Sequence, residues 1–324
     1  MHDSPPFKKR NRRYVVGGIC ACILLAAFAF SYYSIAPGNF PTGEIVSIKK
    51  GAYMSEAADT LVAHSIIKSP FIFKAFVMFM SGHRQVQAGD YLFDQPQSAV
   101  RVAYRMIHGI QGLPKIKVTV FEGMTVKDIG ALLLKNIPAF DVQTFVAAAK
   151  PYEGYLFPDT YFFYQNTTPQ EVIDTLRMTF NQKMQTIMLS AQAFGKPMSE
   201  IIAMASIIER EAASSTDRRI IAGILWKRIA DKMPLQVDPP FYYFLNKDSS
   251  QLTVKDLSTD SPYNLYKHIG LPPTPINNPG LDTIIDTITP TATKYWFYLS
   301  DKNGVMHYAA TYEGHMVNKR KYVE

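Results

Sequence analysis

The sequence predicts an α+β protein in three parts: a single N-terminal transmembrane helix, a small membrane-proximal α+β module and a larger α+β domain. Three observations predict it. Residues 14–36 run for 23 positions without a charge. Beyond them, short alternating segments and longer stretches of helical period follow one another repeatedly. The chain has 324 residues, 47% of them hydrophobic and 19% charged, enough for two domains with cores of their own.

Residues 1–13 are a basic tail. Lys8, Lys9, Arg10, Arg12 and Arg13 against Asp3 place +4 there, out of a net +7 for the whole chain. The remaining +3 is too little for a broad nucleic-acid surface, so no nucleic-acid partner is expected. Residues 14–36 are long enough to cross a bilayer as helix, and Pro37-Gly38 ends them. The basic block predicts a cytoplasmic N-terminus with the bulk of the chain across the membrane. The competing reading is a signal peptide cleaved at Ala27-Phe28-Ala29; the apolar run continues past that site, which favours the anchor. Both cysteines, Cys20 and Cys22, lie inside this segment, so the exported part has no disulfide.

Residues 43–112 are assigned to the membrane-proximal module. Glu44 to Lys49 alternates like a strand, Gly51 breaks it, and Ser55 is positioned to cap a helix to about Ala63. Residues 69–81 read as a helix whose Phe71, Phe73, Phe76, Val77, Phe79 and Met80 form a broad core face. Gly89 to Phe93 is a short strand and Ser98 to His108 a helix. Val46-Ser-Ile-Lys-Lys-Gly51 is echoed 72 residues later by Val118-Thr-Val-Phe-Glu-Gly123, with Ala58 and Leu61 answering to Gly130 and Leu133. Strand, glycine turn and amphipathic helix is the pattern of LysM-like wall-binding modules.

Residues 113–324 are assigned to the larger domain. Glu153-Gly-Tyr-Leu-Phe-Pro-Asp-Thr-Tyr161 packs acids, aromatics and a proline turn together, which suits sugar stacking as well as a buried turn; Glu153, Tyr155 and Asp159 are its candidate contacts. Pro169 to Phe194 reads as one or two amphipathic helices. A helical pattern begins near Glu200, where Ile201, Met204, Ala205, Ile208 and Ala212 share one stripe. Glu209 and Glu211 lie on its opposite edges, with Arg210 pointing away from both. Two positions apart on a helix, these acids cannot oppose one another across a sugar. A carboxyl at an apolar margin is desolvated and its pKa rises, which suits a general acid; an ion-paired helix end is the bland alternative. Helix continues from Arg219 to about Lys232. Three proline-bounded loops follow, at 234–240, 261–266 and 270–280. Asp282 to Ile288 is a short helix, Tyr295 to Leu299 a buried strand, and His307 onward its hairpin partner. No metal-binding motif occurs, and neither a metal nor a cofactor is expected.

Together these pieces resemble the YceG-like family of endolytic murein transglycosylases. The resemblance rests on Glu153-Gly-Tyr-Leu-Phe-Pro-Asp-Thr-Tyr161, Ala205-Ser-Ile-Ile-Glu-Arg-Glu211, Pro234-Leu-Gln-Val-Asp-Pro239, Ser261-Pro-Tyr-Asn264, Gly270-Leu-Pro-Pro273 and Asn278-Pro-Gly280, in this order and spacing. It implies a single-pass inner-membrane protein whose periplasmic catalytic domain cuts peptidoglycan glycan strands between N-acetylmuramic acid and N-acetylglucosamine, leaving 1,6-anhydro ends. Peptidoglycan synthases are the implied partners. The family's catalytic glutamate falls on Glu209, with Glu211 as the alternative, and Gln236, Asp238, Tyr263 and Asn264 match cleft positions. The chain departs from the family at Pro240-Phe241 and at Glu313-Gly-His315-Met316. Two other readings stay open at this level: a hydrolytic muramidase pairing Glu209 with Asp159 or Asp238, and a non-catalytic wall-binding scaffold.

Overall fold

The computed structural model describes residues 8–82 and 86–323. Of the basic tail, only the backbone of residues 8–13 is described, and it is helical. The chain divides into two units, Met1–Pro114 and Lys115–Glu324.

The first unit opens with helix α1 (Lys8–Ser34), whose stretch Tyr14–Ser34 is apolar enough to span a membrane and buries nothing within the protein. A β-α-α-β arrangement follows: β1 (Glu44–Ile48), α2 (Met54–Ala63), α3 (Pro70–Ser81) and β2 (Gly89–Phe93), then α4 (Ala99–Ile107). β1 and β2 pair antiparallel, Val46 opposite Tyr91. Helix α2 begins one residue before Ser55, the cap expected from sequence, because Glu56 turns back to accept the Tyr53 N–H. Ser69 caps α3 and left-handed Gly82 closes it. The core gathers Val46, Leu61, Phe73, Val77, Tyr91 and Phe93. Phe71 and Phe79 are not part of it; both face outward from α3.

The second unit repeats the arrangement before elaborating it. β3 (Ile116–Thr119), α5 (Val126–Asn136), α6 (Val142–Ala149) and β4 (Thr160–Phe163) again run β-α-α-β, with β3 and β4 antiparallel. The sequence echo has a structural counterpart: Gly51 and Gly123 both take positive φ after their strands. Ala58 and Leu61 face one core as Gly130 and Leu133 face the other. At Gly130 the absent Cβ lets Val142 and Val146 of α6 approach α5 closely.

A single long helix α7 (Pro169–Phe194) then leads to α8 (Met198–Ile208), α9 (Ser215–Ala230), α10 (Pro239–Leu245), α11 (Val254–Leu257) and α12 (Leu281–Ile288). A hairpin of β5 (Phe297–Ser300) and β6 (Met306–Ala309), then α13 (Tyr312–Tyr322), complete the chain. Residues 201–208 of α8 are buried on every side, packed by α7 and α12 on one flank and α9 on the other. The expected one-sided stripe is therefore a fully enclosed helix. It ends at Ile208 rather than running past Ala212, and Ser214 caps a new helix by accepting the Asp217 N–H. β5 is half-buried, not a core strand. Pro239 and Pro240 begin α10 at positions where a helix needs no N–H donor.

Candidate active site

The site forms where α8 stops. Glu209 holds the last helical bond of α8, donating its N–H to the Ala205 carbonyl at 2.8 Å. Segment 276–280 is pinned alongside: the Ile276 N–H donates to Ser206 Oγ at 3.0 Å, and Asn277 Nδ2 donates to the Ser206 carbonyl at 2.7 Å. This brings the Gly280 N–H to Oε2 of Glu209 at 2.8 Å. Gly280 is the cap of α12, so the half-buried carboxyl sits on a helix N-terminus, also within reach of the Thr283 hydroxyl. Two opposing effects act on it. Burial favours the neutral acid and is the larger; the Gly280 and Thr283 donors favour the carboxylate, the charge of Glu122 opposes it, and the balance is a raised pKa.

Buried Asn278 aligns three segments. Its Oδ1 accepts the Gly154 and Leu156 N–H groups at 2.9 Å each, and its Nδ2 donates to the Met124 carbonyl at 2.9 Å and to Glu153 at 3.1 Å. The Gly123 N–H in turn donates to the Asn278 carbonyl at 2.9 Å. Gly123 therefore lies beside Glu209, where a Cβ would touch Cγ of the acid at 3.5 Å.

An open groove of about 480 Å³ runs beside this point, lined by Glu122, Gly123, Met124, Asp128, Lys135, Arg210 and Tyr242 among others. Arg210 lies over the Tyr242 ring at 3.8 Å, and the Tyr242 hydroxyl donates to Asp128 at 3.1 Å. An open, mixed-charge groove with an aromatic wall fits a polar polymer better than an apolar ligand. A Cβ at Gly280 would run into Oε1 of Glu122, so Glu122 and Glu209 approach the same glycine.

Residues 46–321 match the YceG-like family. The chain belongs to the YceG-like family. One relative, an endolytic murein transglycosylase of Bacillus subtilis, is 30% identical over 305 residues, covering 86% of this chain and 84% of that protein. Another protein of that description, from Streptococcus pneumoniae, is 25% identical, covering 96% of this chain and 65% of that protein. A YceG-like protein of Listeria monocytogenes, known from a crystal structure, superposes with a TM-score of 0.58 at 27% identity, covering 85% of this chain and 99% of that one.

In this YceG-like chain the sequence-predicted site residues separate into distinct places. None of them lines the groove itself; Glu209 lies beside Gly123, which does. Glu211 turns into a buried cluster with Arg228, Tyr298 and Asp238, where burial lifts its carboxyl to about 7. Asp238 accepts the Tyr266 hydroxyl at 2.7 Å in that cluster. Arg228 donates to the Trp296 and Leu235 carbonyls, at 2.9 and 2.5 Å. Glu153 is buried at the start of α5, accepting the Val126 N–H through both oxygens at 3.1 and 3.2 Å, and burial pushes its pKa to about 8. Its carboxylate faces a helix end rather than open surface. Asn264 is likewise buried and occupied, donating to the Leu257 and Thr259 carbonyls at 2.9 and 2.8 Å. Tyr263 packs at a tilt against Tyr243 and shares a 2.8 Å hydrogen bond with Thr274. Tyr155 lies against Phe180 in a second, 220 Å³ cavity. Asp159 is exposed, 3.9 Å from Lys183. Gln236 is exposed at φ +47, an uncommon conformation for a side chain of its size.

The sequence reading missed Glu122, Asp128, Lys135, Tyr242 and Thr283. It also sent Arg210 away from the chemistry, whereas the break after Ile208 turns it into the groove. The signal for Glu122 was present in the repeat, in the strand-to-helix turn next to Gly123; Asp128 lies just beyond it, in the first turn of α5.

Proposed function

We propose that this chain is a membrane-anchored lytic transglycosylase that cuts peptidoglycan glycan strands endolytically, with Glu209 as its single acid and base. The observation that carries this reading is the Glu209 carboxyl: half-buried, raised in pKa, held by the Gly280 N–H, and set at the edge of the groove. Protonated Glu209 donates to the glycosidic oxygen between N-acetylmuramic acid and N-acetylglucosamine. The C1–O4 bond breaks as the muramic ring gains oxocarbenium character. The carboxylate then takes the proton of the muramic C6 hydroxyl, and O6 closes on C1 of its own ring. No water is consumed, and Glu209 ends protonated as it began. The internal hydroxyl also has the advantage of proximity.

Helix α1 anchors the enzyme in the inner membrane, N-terminus cytoplasmic, with the catalytic unit in the periplasm beside the synthases that extend the strands. Neither acid once paired with Glu209 for a hydrolytic route stands next to it: Asp238 belongs to the Glu211 cluster and Asp159 to Lys183. The neighbouring acid is Glu122.

Digestion of purified peptidoglycan in ¹⁸O-labelled water tests the reaction class. The expected product is an anhydro-ended fragment carrying no label. A labelled reducing end would instead make the chain a hydrolase, with Glu122 as its second carboxylate. Binding without cleavage would support a scaffold.

A further inference from the structure

Helix α3 is apolar apart from Lys74 and Ser81, and only part of its apolar surface is covered. Ile72, Phe73 and Val77 enter the core of the first unit. Phe71, Ala75, Met78 and Phe79 form a second face and are exposed, Phe71 at 73% and Phe79 at 88%. Their spacing of i, i+4, i+7 and i+8 makes one stripe about 100° wide, the width of a face that packs against an apolar medium. No charged residue falls within it, and Lys74 borders one edge.

The helix beside it indicates the medium. Phe76 of α3 meets Phe30 of α1 edge to face, ring centres 5.6 Å apart. Phe30 belongs to the apolar stretch Tyr14–Ser34. It lies four residues before the end of that stretch, about 6 Å along a helix axis. Lys68, just ahead of α3, donates to the Tyr32 carbonyl at 3.0 Å and sits 4.0 Å from the centre of its ring. An aromatic and a lysine together at a helix end are the residue types found where acyl chains give way to headgroups.

We infer that α3 is a membrane-embedded interfacial helix, its Phe71–Ala75–Met78–Phe79 face seated in the outer-leaflet lipid around α1. The first unit would then rest on the bilayer rather than swing from a linker. This rests on the reading of α1 as a membrane anchor, and the experiment separates the two.

Three tryptophan variants of the full chain are reconstituted in phosphatidylcholine–phosphatidylglycerol vesicles with or without brominated acyl chains: Phe28→Trp in α1, Phe79→Trp in α3, and Val254→Trp on the other unit. Val254 is exposed, and the native Trp226 and Trp296 lie in that unit as well, so the parent protein supplies the background. Phe79 is exposed, so its replacement removes no packing. The expected result is loss of most of the added emission at residues 28 and 79 and none at 254, with residue 79 quenched best by bromines near the headgroups. Quenching at 28 but not at 79 overturns the inference and leaves the anchor standing. Quenching at neither overturns both. A blue shift at 79 that depends on protein concentration, without quenching, overturns it in favour of a second copy of the chain on this face.

Discussion

Three buried or half-buried glutamates in the second unit are raised in pKa by the same cause, and their partners set them apart. Glu209 meets the Gly280 N–H and the Thr283 hydroxyl next to an open groove; Glu153 is enclosed by the Val126 N–H and Asn278, and Glu211 by Tyr298, Asp238 and Arg228. Burial without access gives a structural acid, and burial with access gives a candidate catalyst. Glu153 makes the structural role measurable. Its carboxyl titrates near the model-peptide value of 4.5 when unfolded and at about 8 when folded, so the folded state favours the protonated form. Its contribution to stability is full below pH 4.5 and is lost as the pH rises through 8. Glu211 adds a smaller loss, complete as the pH rises through about 7. Urea unfolding at pH 5.5 and 8.5 should therefore show the wild type weaker at the higher pH. Glu153→Gln can keep the Val126 and Asn278 bonds through its amide oxygen and should flatten that difference. An unchanged pH dependence in the variant would mean Glu153 is not the titrating group.

At the scale of elements, the site depends on segment 276–280 threading between the end of α8 and the start of α5. Asn278→Ala leaves the Gly154 and Leu156 N–H groups without their acceptor, and should cost about 2–4 kcal/mol in denaturant unfolding. Gly154→Ala should be at least as harmful, because φ is +88 and a Cβ there would run into Pro275. A loss smaller than about 1 kcal/mol for either would mean that the segment is held by other contacts. Much of this layer was legible in the sequence. Periodicity gave α3, α4 and α12 to within a residue or two and the extent of α7, and the 72-residue echo marked the strand, glycine turn and first helix of what the structure shows as a repeated β-α-α-β arrangement. The break after Ile208 was not legible. Residues 209–212 still fit a helical period, and only Ser214, as a better cap, stops the helix. The groove was not legible either. Tyr242, Asp128 and Arg210 are separated by 32 to 114 positions and are joined by tertiary contacts alone.

At the scale of the whole molecule, two units with separate cores should not melt as one. Both tryptophans, Trp226 and Trp296, belong to the Lys115–Glu324 unit, while helix signal arises from both units. Tryptophan emission and far-ultraviolet circular dichroism should give non-coincident unfolding curves in detergent. Coincident curves would mean that the units unfold together. The repeated β-α-α-β arrangement sharpens this division. In the first unit it stands beside α1; in the second, its strand-to-helix turn supplies Glu122 and Gly123 to the wall of the groove.

The central claim is that Glu209 performs the chemistry and its neighbouring acids do not. The most direct measurement is the rate of anhydro-muramic acid formation, read by mass spectrometry, for the wild type and for Glu209→Gln, Glu211→Gln and Glu122→Gln assayed side by side. Glu209→Gln should lose about 10²–10⁴-fold in rate, the usual worth of a general acid, while keeping its affinity for glycan strands. Glu211→Gln and Glu122→Gln should remain within about tenfold of the wild type, since neither is asked to transfer a proton. Full activity in Glu209→Gln, with the loss falling instead on Glu211→Gln or Glu122→Gln, would contradict the account.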